Sequence, residues 1–286
     1  MGVRNGLPNI RPRTQAQLAI TADDQVWWLL NASPDLRQQV LTASEFAPTG
    51  RMRGSPIVGV VLTSAEVDFV IGLLHLREFH PLTVYSTAGV RRVLTEGNTL
   101  FRALDRSMPP VEWRDLPLGK EVVLQASRPT GVEVDLRCIA VGLDGEYPDY
   151  VDQELKSGLA SEEAVIGLSI SAGPKAMFYA PGLSPRSKSW KGFVLASDLA
   201  LLDGTFWSND ELPRFRCGSK TAREMGHLPL SGDNGLLQEL KDTTRPRRVA
   251  IHINNTNPIL DEDSPEHRAM RDAGWEIALD GMEFDL

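Results

Sequence analysis

Carboxylate and imidazole side chains follow several apolar runs of this sequence, and side chains of these two kinds hold divalent metals in proteins. Polar residues at the carboxyl ends of strands are also where α/β sheets tend to present ligand sites. The candidates are Ser64, Glu66 and Asp68 after the run that ends at Leu62, Asp203 after residues 200–202, His227 in the loop Met225-Gly226-His227, and His252, Asn254 and Asn255 after residues 249–251. The pattern therefore predicts a metal or ligand site at such a sheet edge.

Each candidate also has a structural explanation. Glu66 and Asp68 can cap a helix that begins near Phe69, because an acidic residue at a helix start satisfies free backbone N–H groups. Asp203 begins an ordinary turn sequence. The two candidate histidines can equally be hydrogen-bonded members of a core. The other histidines are assigned structural roles: His75, His80 and His267.

The elements that must position these residues alternate between strands and helices. Apolar runs predict strands at residues 17–21, 26–31, 57–62, 82–86, 132–141, 164–171, 175–180, 198–202 and 247–253. Helical spacing predicts helices at residues 36–41 and 69–77, and the Asp280-Gly281 turn signal predicts a closing hairpin of residues 275–279 and 282–286. We expect one domain over residues 1–286, an α/β structure of mixed sheets with outer helices.

Composition excludes several classes of protein. A net charge of −8 argues against a nucleic-acid partner, because neutralising phosphates needs a concentrated basic surface. No apolar run approaches the roughly 18 residues that cross a bilayer, and residues 1–13 lack the apolar centre of a signal peptide. Cys138 and Cys217 form no CxxC pair, and we expect both to be buried. The sequence therefore predicts a cytoplasmic protein with no membrane partner.

Seven sequence blocks, in this order, resemble the coenzyme PQQ synthesis protein B family of the metallo-β-lactamase superfamily. They are Arg11-Pro-Arg-Thr-Gln15; Leu29-Leu-Asn-Ala-Ser-Pro-Asp35; Ser55-Pro-Ile57 with Val61-Leu-Thr63; Gly72-Leu-Leu74 with Leu76-Arg-Glu78; Asp203-Gly-Thr205; Lys220-Thr221 with Met225-Gly-His227; and His252-Ile-Asn-Asn-Thr-Asn-Pro258. The blocks extend over nearly the whole chain.

The resemblance implies an αββα sandwich of two mixed β-sheets flanked by helices, and a role in pyrroloquinoline quinone (PQQ) biosynthesis. It implies metal-dependent hydroxylation of the tyrosine ring of a cross-linked Glu-Tyr intermediate, with Fe(II) or Zn(II) as the metal. The alternative is a non-catalytic carrier that binds PQQ or its precursor for transport. Hydrolysis ranks last, because it usually needs a histidine-rich loop to generate a metal-bound hydroxide.

The resemblance also assigns roles to the candidates. Asp68 and His252 match family metal ligands, and Glu66 stands where the family often has Asp. Asp203 and His227 are assigned to catalysis, and substrate binding is assigned to Ser64, Asn254 and Asn255. The implied substrate is a small, dipeptide-like molecule, and a homodimer is an open alternative to a monomer.

Two departures from the family pattern are visible. Phe69 stands where the metal loop normally has His, and a phenyl ring has no lone pair for a metal, so we expect weaker metal binding or its loss. The chain also begins beyond the family's first strand and its cysteine cluster, so we expect that strand and cluster to be absent.

Overall fold

The computed structural model describes residues 3, 5–47, 54–77, 81–107, 109–126 and 135–286, and the strands in these ranges form two sheets. The first contains, in spatial order, β1 (Leu18–Ile20), β2 (Trp27–Leu30), β3 (Ile57–Val61), β4 (Thr83–Ser86) and β5 (Glu112–Asp115). The second contains, in spatial order, β12 (Trp275–Ile277), β11 (Arg247–Ile251), β10 (Leu199–Asp203), β9 (Lys175–Ala180), β8 (Ile166–Ala172), β7 (Arg137–Gly142) and β6 (Glu121–Val123). The nine strands predicted from apolar runs are present, several with shorter bounds.

Both sheets mix parallel and antiparallel pairs. In the first sheet, β1 pairs antiparallel with β2, and β2 to β5 are parallel. In the second sheet, β6, β7 and β8 are antiparallel, and β9 to β12 are parallel. This arrangement confirms the prediction of two mixed sheets.

The chain divides into two compact units, one of residues 15–174 and one of residues 1–14 with 175–286. The first unit contains the helices α1 (Leu36–Thr42), α2 (Val67–Val70), α3 (Ala88–Thr95), α4 (Arg102–Asp105) and α5 (Gln153–Ser157). The second contains α6 (Trp190–Leu195), α7 (Glu211–Phe215), α8 (Leu236–Glu239) and α9 (Pro265–Asp272). This division by contacts does not test the predicted single domain, which stays a prediction.

In the unit of residues 15–174, the core is built around β3, whose five residues are all buried. Gly59 lies beneath the ring of Trp28, and a Cβ atom at this position would come within 2.1 Å of that ring. Trp28 is 1% exposed, so the missing side chain at Gly59 is what lets the indole pack closely against β3.

The helix predicted at residues 69–77 differs in the structure: α2 ends at Val70 and a 3₁₀ helix continues over Ile71–Leu76. The cause is the neighbouring turn. The Ala32 N–H donates to the Phe69 carbonyl at 2.7 Å, and the Gly72 N–H donates to the Ala32 carbonyl at 2.9 Å. These two groups therefore bond outside the helix, which interrupts the regular α-helical ladder.

The predicted closing hairpin is wrong. A turn does form at Asp280-Gly281, but residues 282–286, all of them described, form no strand. Instead β12 pairs parallel with β11, and beyond the turn the Phe284 ring lies 4.7 Å from the Arg247 guanidinium carbon. The start of the strand predicted at residues 132–141 lies outside the described residues, and β7 begins at Arg137.

Candidate metal centre

The carboxyl ends of β10 and β11 lie side by side in the unit that contains residues 175–286. Asp203 pairs with Ile251 in the parallel register, and the Gly204 N–H donates to the Ile251 carbonyl at 2.7 Å. A Cβ atom at Gly204 would lie 2.9 Å from that carbonyl oxygen, so glycine permits this close approach. His252 follows directly with a φ of +54°, which turns the chain out of the strand beside Asp203.

Asp203 is fully buried and accepts four hydrogen bonds. Its Oδ2 accepts from the Leu183 N–H at 2.9 Å and faces His227 Nδ1 at 2.7 Å. Its Oδ1 accepts from the Thr205 N–H at 3.0 Å and contacts the Thr205 hydroxyl at 2.6 Å. Burial is the largest single influence and raises the pKa of Asp203, but the charges of His227 and His252 and the hydrogen bonds from His227 and Thr205 together outweigh it and hold the pKa below its usual value. Asp203 is therefore an ionised carboxylate.

Two histidines converge on this carboxylate. Asp203, His227 and His252 each offer a ligand atom, and these atoms lie within 4.8 Å of one another. The two imidazole rings stack with their centroids 5.7 Å apart. Within the described ranges, Asp203, His227 and His252 form the one group of three acidic, histidine or cysteine residues that lie close enough together to hold a metal ion.

A hydrogen-bonded chain supports the loop that carries His252. Glu211 Oε2 accepts from the Trp207 N–H at 2.7 Å, and its Oε1 accepts from the Thr256 hydroxyl at 2.5 Å. Asn254 Nδ2 in turn donates to Thr256 Oγ1 at 2.9 Å. Burial raises the pKa of Glu211, although these hydrogen bonds oppose it. The chain ties the segment after β11 to the segment after β10.

The structure therefore brings together three of the predicted site residues, Asp203, His227 and His252. Asn254 belongs to the supporting chain just described, and Asn255 is exposed in the same loop. Sequence reasoning missed the contributions of Thr205 and Glu211. A hydroxyl residue two positions after Asp203 is a signal that could have identified Thr205, since Asp side chains often bond two residues onward.

The remaining candidates lie in the other unit. Ser64 is buried, and its Oγ accepts from the Glu66 N–H at 3.2 Å. Glu66 is the N-cap residue of α2, where its side chain makes no capping bond to the described first turn, and Asp68 lies in that turn. Phe69 is 4% exposed and belongs to the apolar core of this unit. The metal roles of Glu66 and Asp68 and the substrate roles of Ser64, Asn254 and Asn255 stay predictions.

Comparisons with known proteins place this arrangement in a family. The model of the β-lactamase superfamily domain matches residues 26–253. Coenzyme PQQ synthesis protein B from Gluconacetobacter diazotrophicus is 37% identical over 278 residues, which covers 97% of this chain and 89% of that protein. The same-named protein from Azoarcus sp. is 39% identical over 287 residues, with coverages of 100% and 92%.

The chain belongs to the coenzyme PQQ synthesis protein B family. Zn²⁺-bound PqqB from Methylobacterium extorquens, a solved member of this family, superposes with a TM-score of 0.88 at 35% identity and covers 100% of this chain and 92% of that one. A diphosphatase of the PhnP family superposes with a TM-score of 0.65 at 17% identity, covers 100% of this chain and 90% of that one, and shares the fold alone. The predicted metallo-β-lactamase fold of the PQQ synthesis protein B family is thereby confirmed.

Proposed function

We propose that this chain is a metal-dependent hydroxylase of PQQ biosynthesis that acts on the tyrosine ring of a small cross-linked Glu-Tyr substrate. Family membership supports the role in PQQ biosynthesis, because the relatives carry that name and match nearly the whole chain. The observation that carries the proposal of metal dependence is the convergence of Asp203, His227 and His252 within 4.8 Å.

His227 and His252 fit a divalent metal, because imidazole nitrogens suit both Fe(II) and Zn(II). Asp203 supports this pair, since its two oxygens accept four hydrogen bonds, among them the direct one from His227 and the one from the Thr205 hydroxyl that contacts His252. A bound Fe(II) would supply the activation of O₂ that hydroxylation requires. The Zn²⁺-bound relative makes Zn(II) the competing metal, so metal identity has to be part of the test.

The chain's own residues hold the site in shape. Ionised Asp203 keeps a proton on His227 Nδ1, because a carboxylate only accepts hydrogen bonds. In the neutral ring the other nitrogen, Nε2, then carries the lone pair that binds a metal. The chain from Glu211 through Thr256 to Asn254 holds the segment after His252.

Hydroxylation replaces a ring C–H bond by C–OH with one oxygen atom of O₂. The second oxygen atom leaves as water and takes up two electrons and two protons from a reductant, for which an ene-diol such as ascorbate is the proposed class. The test supplies Fe(II)- or Zn(II)-loaded protein with the cross-linked substrate, ascorbate and isotopically labelled O₂. Mass spectrometry should detect one labelled oxygen in the product with Fe(II) and none with Zn(II).

His252→Ala and His227→Ala should abolish both metal retention and product. The matched control is His75→Ala, because His75 is exposed on the 3₁₀ helix Ile71–Leu76 and lies in the other unit. Product formation by the metal-free protein, or by His252→Ala at the wild-type rate, would contradict the proposal. The same assay on Asp68→Ala and Glu66→Ala tests their predicted roles as ligands.

The second candidate function is a non-catalytic carrier of PQQ or its precursor. The observation that favours it is Phe69, an apolar ring in a buried core where the resemblance expects a metal-binding histidine. A carrier should bind PQQ with unchanged affinity in His252→Ala and form no product with any metal. Calorimetry of wild type and variant against PQQ, beside the product assay, separates the two functions.

We also propose that the protein acts in the cytoplasm, as a homodimer, without a nucleic-acid or membrane partner. Both cysteines are free, as is usual in a reducing compartment. In the described part of the chain, no helix has the length and apolar character needed to cross a bilayer. Cell fractionation and sedimentation of the purified protein test location and oligomeric state.

A further inference from the structure

The hydroxyl group of Thr205 lies between the buried carboxylate and the second histidine of the cluster. Thr205 Oγ1 is 2.6 Å from Asp203 Oδ1 and 2.9 Å from His252 Nδ1. Thr205 is 7% exposed, so water does not readily replace either contact. The backbone N–H of the same residue donates to Asp203 Oδ1 at 3.0 Å, which fixes the hydroxyl beside the carboxylate.

The direction of these hydrogen bonds follows from the number of protons available. The Thr205 hydroxyl donates its single proton to Asp203 Oδ1, the same oxygen that accepts from the Thr205 backbone N–H. The Thr205 oxygen can then only accept in its contact with His252. His252 Nδ1 must therefore carry a proton, and the reverse orientation would set the lone pairs of two oxygens against each other at 2.6 Å.

We propose that Thr205 is a positioning residue that fixes the tautomer and orientation of the His252 ring, so that Nε2 becomes its metal-binding atom. This inference rests on the proposed metal site. Asp203 thereby controls both histidines, His227 by direct contact and His252 through the Thr205 hydroxyl.

The test compares Thr205→Val, which keeps the shape and loses the hydroxyl, with Thr205→Ser, which keeps the hydroxyl. Zn(II) affinity is measured by competition with a chromophoric chelator. We expect Thr205→Val to bind Zn(II) about 10–100-fold more weakly, the usual effect of losing a hydrogen-bond partner of a ligating histidine, and Thr205→Ser to restore binding to within about 3-fold. Thr243→Val, which removes a hydroxyl that donates to the Leu240 carbonyl, is the matched control.

A second measurement needs no metal. Long-range ¹H–¹⁵N NMR of the metal-free protein reports which ring nitrogen of each histidine is protonated. We expect a proton on His252 Nδ1 in wild type and Thr205→Ser, and a mixture of tautomers in Thr205→Val. His267 is the internal reference, because its Nδ1 faces the Ile259 carbonyl at 2.8 Å and should stay protonated in every variant.

These two measurements separate the possible failures. If wild type binds no metal while the tautomer of His252 still depends on the Thr205 hydroxyl, the proposed function fails and the role of Thr205 in holding the ring stands. If Thr205→Val binds Zn(II) as tightly as wild type, or if His252 carries its proton on Nε2 in the metal-free wild type, the inference about Thr205 is overturned.

Discussion

At Asp203, four donors meet one buried carboxylate. Each of its two oxygens accepts one bond from a backbone N–H, from Leu183 on one side and from Thr205 on the other. Neither oxygen can be replaced by a hydrogen-bond donor without loss, because each one already faces a backbone N–H. The carboxylate is therefore needed for the stability of the metal-free site as well as for any metal it holds.

Asp203→Asn tests this dependence. Whichever way the amide is turned, its NH₂ group faces either the Leu183 or the Thr205 N–H, and one buried donor loses its acceptor. We expect the free energy of unfolding of the metal-free protein, measured in urea, to fall by about 1–3 kcal/mol. The control is Asp198→Asn, whose partly exposed side chain can keep its bond to the Ala176 N–H, and it should cost less than about 0.5 kcal/mol. Equal losses in the two variants would contradict the prediction.

The two cysteines differ in exposure, which corrects the prediction that both are buried. Cys138 is buried within β7, and this burial raises its pKa to about 12. Cys217 is exposed after α7. Reactivity with thiol reagents requires access and a thiolate, and Cys138 has neither at neutral pH.

A chromophoric disulfide reagent should therefore modify one of the two cysteines of the native protein, and both after unfolding. Cys217→Ser should abolish the native reaction, and Cys138→Ser should leave it unchanged. Rapid modification of native Cys217→Ser would show that the buried thiol is accessible.

At the scale of elements, one buried arginine joins the ends of two helices. Arg248 lies in β11 and is 8% exposed. Its Nη1 donates to the carbonyl of Leu240, the C-cap residue of α8, and its Nη2 donates to the carbonyl of Ala273, the C-cap residue of α9. A cation at helix carboxyl ends satisfies carbonyls that the helices leave unpaired.

Arg248→Met keeps much of the side-chain volume but leaves both carbonyls without this donor. We expect urea unfolding to show a loss of about 2–4 kcal/mol. Arg247→Met is the matched control, because that neighbour forms an exposed ion pair with Glu276 and should cost less than about 1 kcal/mol. A loss at Arg248 no larger than at Arg247 would show that the helix ends do not depend on the buried cation.

The connection between β1 and β2 depends on Asp23. Its Oδ1 accepts from the N–H groups of Gln25 and Val26 at 3.0 and 2.9 Å, and it also faces the Thr21 hydroxyl. Partial burial alone raises the pKa of Asp23, but the hydrogen bonds from these groups outweigh it and lower the pKa below its usual value. A lowered pKa means that the ionised side chain stabilises the folded state above its unfolded pKa, and that this contribution disappears as the pH falls through the folded value.

Asp23→Ala should therefore lower the free energy of unfolding by about 1 kcal/mol at neutral pH. The difference from wild type should shrink as the pH falls below the unfolded pKa of about 3.9 and through the lower folded pKa, below which the carboxyl group is protonated in both states. Chemical unfolding at several pH values measures this, with exposed Gln25→Ala as the control. A difference that is constant with pH would contradict the assignment.

At the scale of the whole molecule, both units carry candidate residues at the carboxyl ends of parallel strands. In one unit Ser64, Glu66 and Asp68 follow β3, and in the other Asp203 and His252 follow β10 and β11. The second group reaches ligand spacing within its own unit, with His227 added from a loop. A metal bound there should stabilise the folded chain, because the unfolded chain does not hold these three residues together.

Zn(II) at about 100 times its Kd should raise the free energy of unfolding by about 2.7 kcal/mol, and EDTA should reverse the effect. His252→Ala should remove the dependence on metal, while His75→Ala should retain it. Thermal melts at several metal concentrations measure the shift. Stabilisation of equal size in His252→Ala would place the metal at other residues.

The sequence alone determined which runs become buried strands, that polar residues follow them, and which family the chain resembles. These features can be read along the chain, because strand burial follows from apolar periodicity and the family resemblance rests on short sequence blocks in a fixed order. The turn at Asp280-Gly281 was also readable from the sequence. The strand that pairs with β12 could not be read in the same way, because its partner β11 is distant in sequence.

Only the tertiary structure decided that Asp203, His227 and His252 meet, that Thr205 bridges two of them, and that Cys217 is exposed. The physical reason is that strand order and the return of the loop after α7 set which distant side chains become neighbours. No local period encodes this proximity. The direction of each hydrogen bond then depends on the donors that surround the Asp203 carboxylate, which only the folded chain brings together.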